Sequence, residues 1–293
     1  MQVPETFDYE RVATVEDAIA RLAHHGDEAR LIAGGHSLLP MMKLRLAIPE
    51  VLIDINDVPG LDHVRVDGDE LAIGAMVRHA AILDNGILAE HYPIFRDAER
   101  KIADPLVRNR GTIGGSVCQA DPAEDLSAVV TALRGSVVIQ SASGRRSVPI
   151  REFHTGPWET VVGDAEMVVE VRVPIRTAVG SAYEKVERRV GDWAVAAAGT
   201  FLQMDGDTIA DAGIGLAAVG ATHMTCPEAE QALVGGPADA DAFATAARIV
   251  SESVHPTADQ RGPVDYKRHL AGELTRRALV RSAARATGAG EDN

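Results

Sequence analysis

The chain has 293 residues, 46% of them hydrophobic, and a formal net charge of −14. That length and apolar content can bury a substantial core divided over two or three domains, whereas the acidic balance excludes nucleic acid and anionic membrane, which require clustered positive charge. The only cysteines, Cys118 and Cys226, are far apart and outside any Cys-x-x-Cys, so this chain alone can assemble neither a zinc site nor an iron–sulfur cluster.

The opening Met1-Gln2-Val3-Pro4-Glu5 lacks a basic segment followed by an apolar one, and no stretch of 18 apolar residues occurs anywhere, which predicts a cytoplasmic protein or one delivered by a partner. Thr14-Val15-Glu16-Asp17 is a capping box ahead of Ala18, Ile19 and Leu22 at helical spacing. Arg30-Leu31-Ile32-Ala33 then reads as a short buried strand, and Val51-Leu52-Ile53-Asp54-Ile55 as a second. Between them the apolar residues of 41–48 suit a segment packed beneath the turn that follows the first strand. Residues 1–56 therefore fit a β-α-β unit able to hold a nucleotide.

That turn is Ala33-Gly34-Gly35-His36-Ser37, and a second glycine turn, Thr112-Ile113-Gly114-Gly115-Ser116, follows nearly 80 residues later. Glycine reaches φ > 0 without penalty and lets an anion approach the main chain, where successive N–H groups converge on it. Singly, either turn is a tight bend; as a pair, with Thr112 and Ser116 supplying hydroxyls, they point to a diphosphate site. Neither the P-loop pattern nor Gly-x-Gly-x-x-Gly at the start of a helix is present. Gly213-Ile214-Gly215 reads as part of a glycine-containing strand instead.

From Leu61, Val64-Arg65-Val66 and Leu71-Ala72-Ile73 flank Asp67-Gly68-Asp69 as a hairpin, followed by helical stretches at 79–85 and 94–102. Asp121-Pro122-Ala123-Glu124-Asp125 reads as a helix start with proline near the first position, running through Leu133. Strands at 136–139, 146–150 and 166–173 complete a mixed α+β domain. Beyond 174–180, alternation at 182–187, 193–204 and 209–219 predicts an antiparallel three-stranded sheet covered by helices at 238–253 and 264–286. Trp193 is expected in the core, and 288–293 as a disordered tail. The ten histidines are dispersed, with none at metal-ligand spacing.

The run from Ala33 to Leu46, the Thr112–Ser116 turn, Asp121-Pro122-Ala123-Glu124-Asp125-Leu126 and Ala182-Tyr183-Glu184-Lys185-Val186-Glu187-Arg188-Arg189 together resemble the FAD-binding medium subunit of molybdenum hydroxylases, most of all that of aerobic carbon monoxide dehydrogenases. The resemblance covers nearly the whole chain. It implies an α+β protein: a two-subdomain FAD-binding fold of the vanillyl-alcohol-oxidase and para-cresol-methylhydroxylase type (1–56 and 57–177), then a small α+β C-terminal domain (178–287). It implies that Leu31, Ile32, Ala33, Gly34, Gly35, His36 and Ser37 line noncovalent FAD, that Thr112, Ile113, Gly114, Gly115 and Ser116 complete the phosphate cradle, that Asp125 accepts a hydrogen bond from the adenosine or ribityl side, and that Lys185 lies near the flavin. By spacing alone Asp125 is equally a first-turn helix carboxylate and Lys185 a solvated strand lysine.

The resemblance assigns no catalytic residue and no metal to this chain. It implies an electron-transfer subunit beside a large molybdenum-cofactor subunit and a small [2Fe-2S] subunit, in a dimer of heterotrimers that passes electrons to a quinone or another acceptor. Such a subunit is cytoplasmic, or peripheral at the inner face of the membrane through its complex. The alternatives are the flavin subunit of a xanthine, aldehyde or N-heterocycle dehydrogenase, a self-contained flavin oxidase with FAD bonded to His36, and a non-catalytic nucleotide-binding module.

Overall fold

The structure, a computed structural model, describes residues 3–288; of the tail expected to be disordered, residues 289–293 lie outside the described part, and Gly288 ends in a turn. The N-terminal layer runs β1 (Asp8–Arg11), α1 (Val15–His25), β2 (Ala29–Ile32), α2 (Leu38–Lys43) and β3 (Val51–Asp54). Its sheet has the order β1-β3-β2 with both pairings parallel, so each connection must cross over the sheet. The Thr14 hydroxyl accepts from the Asp17 N–H at 3.0 Å, as the capping box requires, and α1 buries Ala18, Ile19 and Leu22 against β2 and β3.

The middle region follows as β4 (Val64–Asp67), β5 (Glu70–Gly74), α3 (His79–Leu83), α4 (Gly86–His91), α5 (Ile94–Glu99), α6 (Pro105–Arg108), α7 (Ile113–Gln119), α8 (Asp125–Ala132), β6 (Ser136–Ser141), β7 (Gly144–Pro149), α9 (Ile150–Phe153), β8 (His154–Gly156), β9 (Glu159–Thr160) and β10 (Met167–Pro174). Five of these strands form an antiparallel sheet in the order β4-β5-β10-β6-β7. One face packs Val138, Met167 and Val169 against the N-terminal layer, and the other packs Leu71, Ile73, Val137 and Val171 beneath the helices. Burial on both faces suits the apolar run Met167-Val168-Val169 that opens β10, and Glu170 and Arg172 interrupt the strand further on.

The C-terminal region comprises β11 (Val179–Glu187), β12 (Ala194–Asp205), β13 (Thr208–Ala217), α10 (Pro227–Leu233), α11 (Ala240–Ser253) and α12 (Val264–Ala286), with β11, β12 and β13 antiparallel in sequence order, as predicted. Leu202, Ile214 and Leu216 face the terminal helices, while Ala197 and Phe201 face α8. Every residue of α8 is buried, because the helix is enclosed between the middle region and this sheet. Its approach is close: a Cβ on Gly213 or Gly215 would overlap the carbonyl oxygens of Ala132 and Ala128. Asp97 on α5 accepts from Arg281 at 3.0 Å and Arg285 at 2.7 Å, which ties α12 back to the middle region.

Two expectations are corrected. Leu44, Leu46 and Ile48 are exposed rather than packed beneath the first glycine turn, because α2 is only six residues long and Arg45, at φ 60°, reverses the chain outward; Met42 is the buried member of the segment. The helix expected from Pro122 begins at Asp125 instead, since the Glu124 carboxylate accepts from the N–H groups of Leu126 and Ser127, both at 2.7 Å, and sets the N-cap there. Substituting Gly215→Val should destabilise the protein by about 2 kcal/mol or more through overpacking against α8. Denaturant unfolding checks this, and an unchanged midpoint would contradict the close approach.

Candidate functional site

A cavity of about 660 Å³ opens between the end of β2, the start of α7, the start of α8 and β11. It is lined by Leu31, Ile32, Ala33, Gly34, Gly35, His36, Ser37, Thr112, Gly114, Gly115, Ser116, Asp125 and Lys185. Of the residues singled out in the sequence only Ile113 is absent from the wall: its side chain is fully buried in the core and its N–H donates to the Val77 carbonyl at 3.0 Å.

The first glycine turn presents free main-chain donors. Among the described residues the N–H groups of Gly34, Gly35, His36 and Ser37 donate to no acceptor, and Gly35 has φ 77°, the left-handed geometry that curls successive amides around an anion. The turn is braced from behind. Asn56 Nδ2 donates to the Ala33 carbonyl at 2.9 Å, the Leu39 N–H to the Gly35 carbonyl at 3.0 Å, and His36 Nδ1 lies 3.1 Å from the Gly34 carbonyl. Gly34 serves a different purpose: a Cβ there would overlap the Arg110 carbonyl and sit 2.8 Å from Gly111 Cα, so the two glycine-bearing segments meet backbone to backbone.

The second glycine segment does not form a bare-amide cradle. Thr112 is the N-cap of α7, its hydroxyl accepting from the Gly115 N–H at 3.1 Å; the Gly114 N–H donates to Ala75 O at 2.9 Å and the Ser116 N–H to Thr112 O at 3.0 Å. Thr-x-x-Gly is a capping sequence as well as an anion-nest sequence, and here the cap and the neighbouring strand take the amides. Gly114 has no positive φ; its missing Cβ makes room for Ala75, which a Cβ would approach to 2.7 Å. The segment offers the cavity the open flank of Gly115 and the Ser116 hydroxyl.

At the start of α8 the charges are buried and paired. Asp125 accepts from Tyr183 Oη at 2.7 Å and Lys185 Nζ at 2.9 Å, and Lys185 also donates to the Lys101 carbonyl at 3.1 Å and lies 3.4 Å from Glu187. Lys185 is thus no solvated strand lysine. Burial pushes the Asp125 carboxyl up to about 6 despite the opposing pull of Lys185 and Tyr183.

Sequence reasoning missed His79, Glu124 and Trp158, which also line the cavity, and assigned Trp193 to the core although it lies at the mouth, 41% exposed. Trp193 follows a turn in which Gly191, at φ 77°, lies against the Ala103 carbonyl, and that contact holds the residue outward. No local signal marks His79: its partners Glu99 and Ser116 come from α5 and α7.

Residues 5–176 match the family described as FAD binding domain in molybdopterin dehydrogenase, and residues 181–282 the CO dehydrogenase flavoprotein C-terminal domain. The chain belongs to this flavoprotein family. It is 39% identical to the carbon monoxide dehydrogenase medium chain of Afipia carboxidovorans, over 97% of this chain and 99% of the other, and 39% identical with the same coverage to that of Hydrogenophaga pseudoflava. The crystal structure of Cu,Mo-CO dehydrogenase in its cyanide-inactivated form superposes with a TM-score of 0.94 at 39% identity, over 97% of this chain and 99% of that one. The cofactor of the family is FAD, and the chain is the flavin subunit of a molybdenum-containing oxidoreductase.

The two glycine segments should respond differently to substitution. Gly35→Val should leave a folded chain that purifies flavin-poor, because a left-handed φ costs a β-branched residue about 1–2 kcal/mol and distorts the amide curl. Gly114→Val should instead lower thermal stability through its clash with Ala75; flavin-to-protein ratios and melting curves separate the outcomes. Because the folded pKa of Asp125 is raised from 3.8 to about 6, its contribution to stability is fully present below 3.8 and is lost as pH rises through about 6. Wild type should therefore lose stability relative to Asp125→Asn across that window, and a pH-independent difference in denaturant midpoints would contradict it.

Proposed function

We propose that this chain is the electron-transfer subunit of a molybdenum hydroxylase of the carbon monoxide dehydrogenase type, with noncovalent FAD in the cavity described above. The observation that carries the reading is the row of unpaired amides at Gly34, Gly35, His36 and Ser37, residues that line the same cavity as Ser116. A diphosphate satisfies those donors, as orphaned main-chain N–H groups require. Leu31, Ile32 and Ala33 supply apolar wall beside it, and Thr112, Gly114 and Gly115 shape the opposite side. Asp125 accepts from a ribityl or adenosine hydroxyl, and Lys185 holds that carboxylate in place near the flavin. His36, exposed and with Nδ1 turned to its own turn, braces the loop, which favours noncovalent over covalent flavin.

FAD supplies the conversion between one-electron and two-electron transfer, and the protein supplies position and electrostatics. With only two cysteines, the chain depends on a small subunit for [2Fe-2S] clusters and on a large subunit for the molybdenum cofactor and the choice of substrate. Residues 1–56 and 57–177 hold the flavin between them, and 178–287 carry Lys185. The exposed Leu44, Leu46 and Ile48 beside the cavity form an apolar patch of the kind that marks a docking surface. In this reading the assembly is a dimer of heterotrimers, cytoplasmic or peripheral at the inner face of the membrane, and electrons leave to a quinone or another acceptor. Among the described residues no helix is long and apolar enough to cross a membrane.

The test is made on the intact complex. A Gly35→Val complex lacking flavin should still let carbon monoxide reduce the iron–sulfur centres while transfer to the acceptor slows, and the isolated wild-type chain should release its FAD on acid precipitation and show no hydroxylase activity. Turnover by the isolated chain without molybdenum or iron would overturn the reading.

A further inference from the structure

Behind Ser116 the structure holds a chain of polar groups whose members come from three helices. His79, the first residue of α3, places Nδ1 2.9 Å from Glu99 Oε1 on α5 and Nε2 3.0 Å from Ser116 Oγ on α7. Glu99 is fully buried, and its second oxygen has no hydrogen-bond partner among the described residues. Burial, with the charges of Glu124 and Asp125, pushes the Glu99 carboxyl up, and the hydrogen bond and field of His79 oppose them, so Glu99 stays ionised only beside a positive charge.

The Ser116 hydroxyl has one proton to donate. If His79 were neutral with its proton on Nδ1 toward Glu99, Nε2 would accept that hydroxyl proton, and the cavity would meet only oxygen lone pairs. If Nε2 carries a proton, it donates to Ser116 Oγ and the hydroxyl proton is free to point outward; with Glu99 ionised, Nδ1 is protonated too and the ring is an imidazolium.

We propose that His79, held as an imidazolium by Glu99, is a positioning residue that turns the Ser116 hydroxyl proton toward an oxyanion in the cavity, so that affinity for the diphosphate of FAD depends on the protonation of His79. The proposal rests on the flavin reading above. Its geometry is supported by electrostatics: burial opposes the charge on His79, but the hydrogen bond and field of Glu99, with Glu124 and Asp125 at the start of α8, outweigh burial and raise its pKa. Three of the cations nearby are otherwise engaged. Arg78 donates to Asn56 and the Arg110 carbonyl, Arg108 of α6 to the carbonyls of Ile102 and Ala103, and Lys185 to Asp125.

Anion binding favours the protonated form, so affinity is full while His79 is charged and falls as pH rises through its pKa.

The experiment titrates FAD into the deflavinated full-length chain by flavin fluorescence across the neutral to alkaline range, with riboflavin, which lacks phosphate, as the control ligand. Wild type should lose roughly tenfold in FAD affinity as His79 deprotonates, the order expected for one hydrogen bond to a charged group. Ser116→Ala should already be about tenfold weaker at neutral pH and show a flattened profile, and Glu99→Gln should move the loss to lower pH; riboflavin binding should show neither effect. Should Glu99→Gln fail to fold, ¹⁵N-histidine spectra of wild type, assigned with His79→Gln, provide an independent readout, with both ring nitrogens of His79 protonated at neutral pH. A singly protonated His79 at neutral pH, or a Ser116→Ala profile parallel to wild type, would overturn the relay. Wild type that bound neither FAD nor riboflavin would overturn the flavin reading and the relay with it.

Discussion

The enclosure of α8 is the constraint on which the rest of the molecule depends. A helix of eight residues has little stability of its own, and this one exists because the middle region and the C-terminal sheet close on it from both sides, through the close backbone approach that Gly213 and Gly215 permit. That packing delivers the α8 N-terminus, with Glu124 and Asp125, to the cavity, and it brings Tyr183 and Lys185 of β11 to the same place. The C-terminal region is thus structurally part of the cavity wall.

The glycines around the cavity divide three tasks. Gly35 supplies a left-handed conformation that frees and curls a row of amides. Gly34 and Gly114 supply absent side chains, letting the first turn meet the 110–111 backbone and α7 meet Ala75. Gly115 leaves room for the capping Thr112 hydroxyl, which a Cβ would approach to 2.9 Å. Because main-chain donors are satisfied wherever a partner lies within reach, the amides at the start of α7 went to Thr112, Ala75 and Val77, whereas those of Gly34 to Ser37, in residues that line the cavity, have no acceptor among the described residues.

Several interior charges have an opposite or a hydrogen-bonding partner from a different element. Lys185 and Tyr183 converge on Asp125, His79 meets Glu99, and Arg281 and Arg285 meet Asp97. Such pairs contribute little net stability against well-packed apolar groups, and their value lies in register, since those of Asp125 and Asp97 are satisfied only when the middle and C-terminal regions are correctly assembled and that of His79 only when α3 and α5 are. The polar lining is also what distinguishes the cavity from a packing void: an apolar wall of Leu31 and Ile32 runs beside it, and the hydrogen-bonding groups stand at defined positions.

Most of the strands, the terminal helices and the first glycine turn were legible from sequence, because alternation, helical spacing, the Thr14 cap and a double glycine after an apolar strand are local signals with local causes; β1, β8 and β9 carry no such signal and were not expected. The family was legible too, since its motifs lie in continuous runs from Ala33 to Leu46 and from Thr112 to Ser116. What the second glycine segment does was not, because whether an amide meets a ligand or a carbonyl depends on Ala75 and Val77, from a strand end far away in sequence. Nor was the character of Lys185, a residue with the pattern of a solvated strand side chain that β11 buries against α8, or the outward position of Trp193. His79, Glu99 and Ser116 lie on three helices with no shared periodicity. Sequence determined which elements form and which family they build; the packing of helices between two sheets decided which polar groups meet, since burial, and not residue type, sets a side chain's partners.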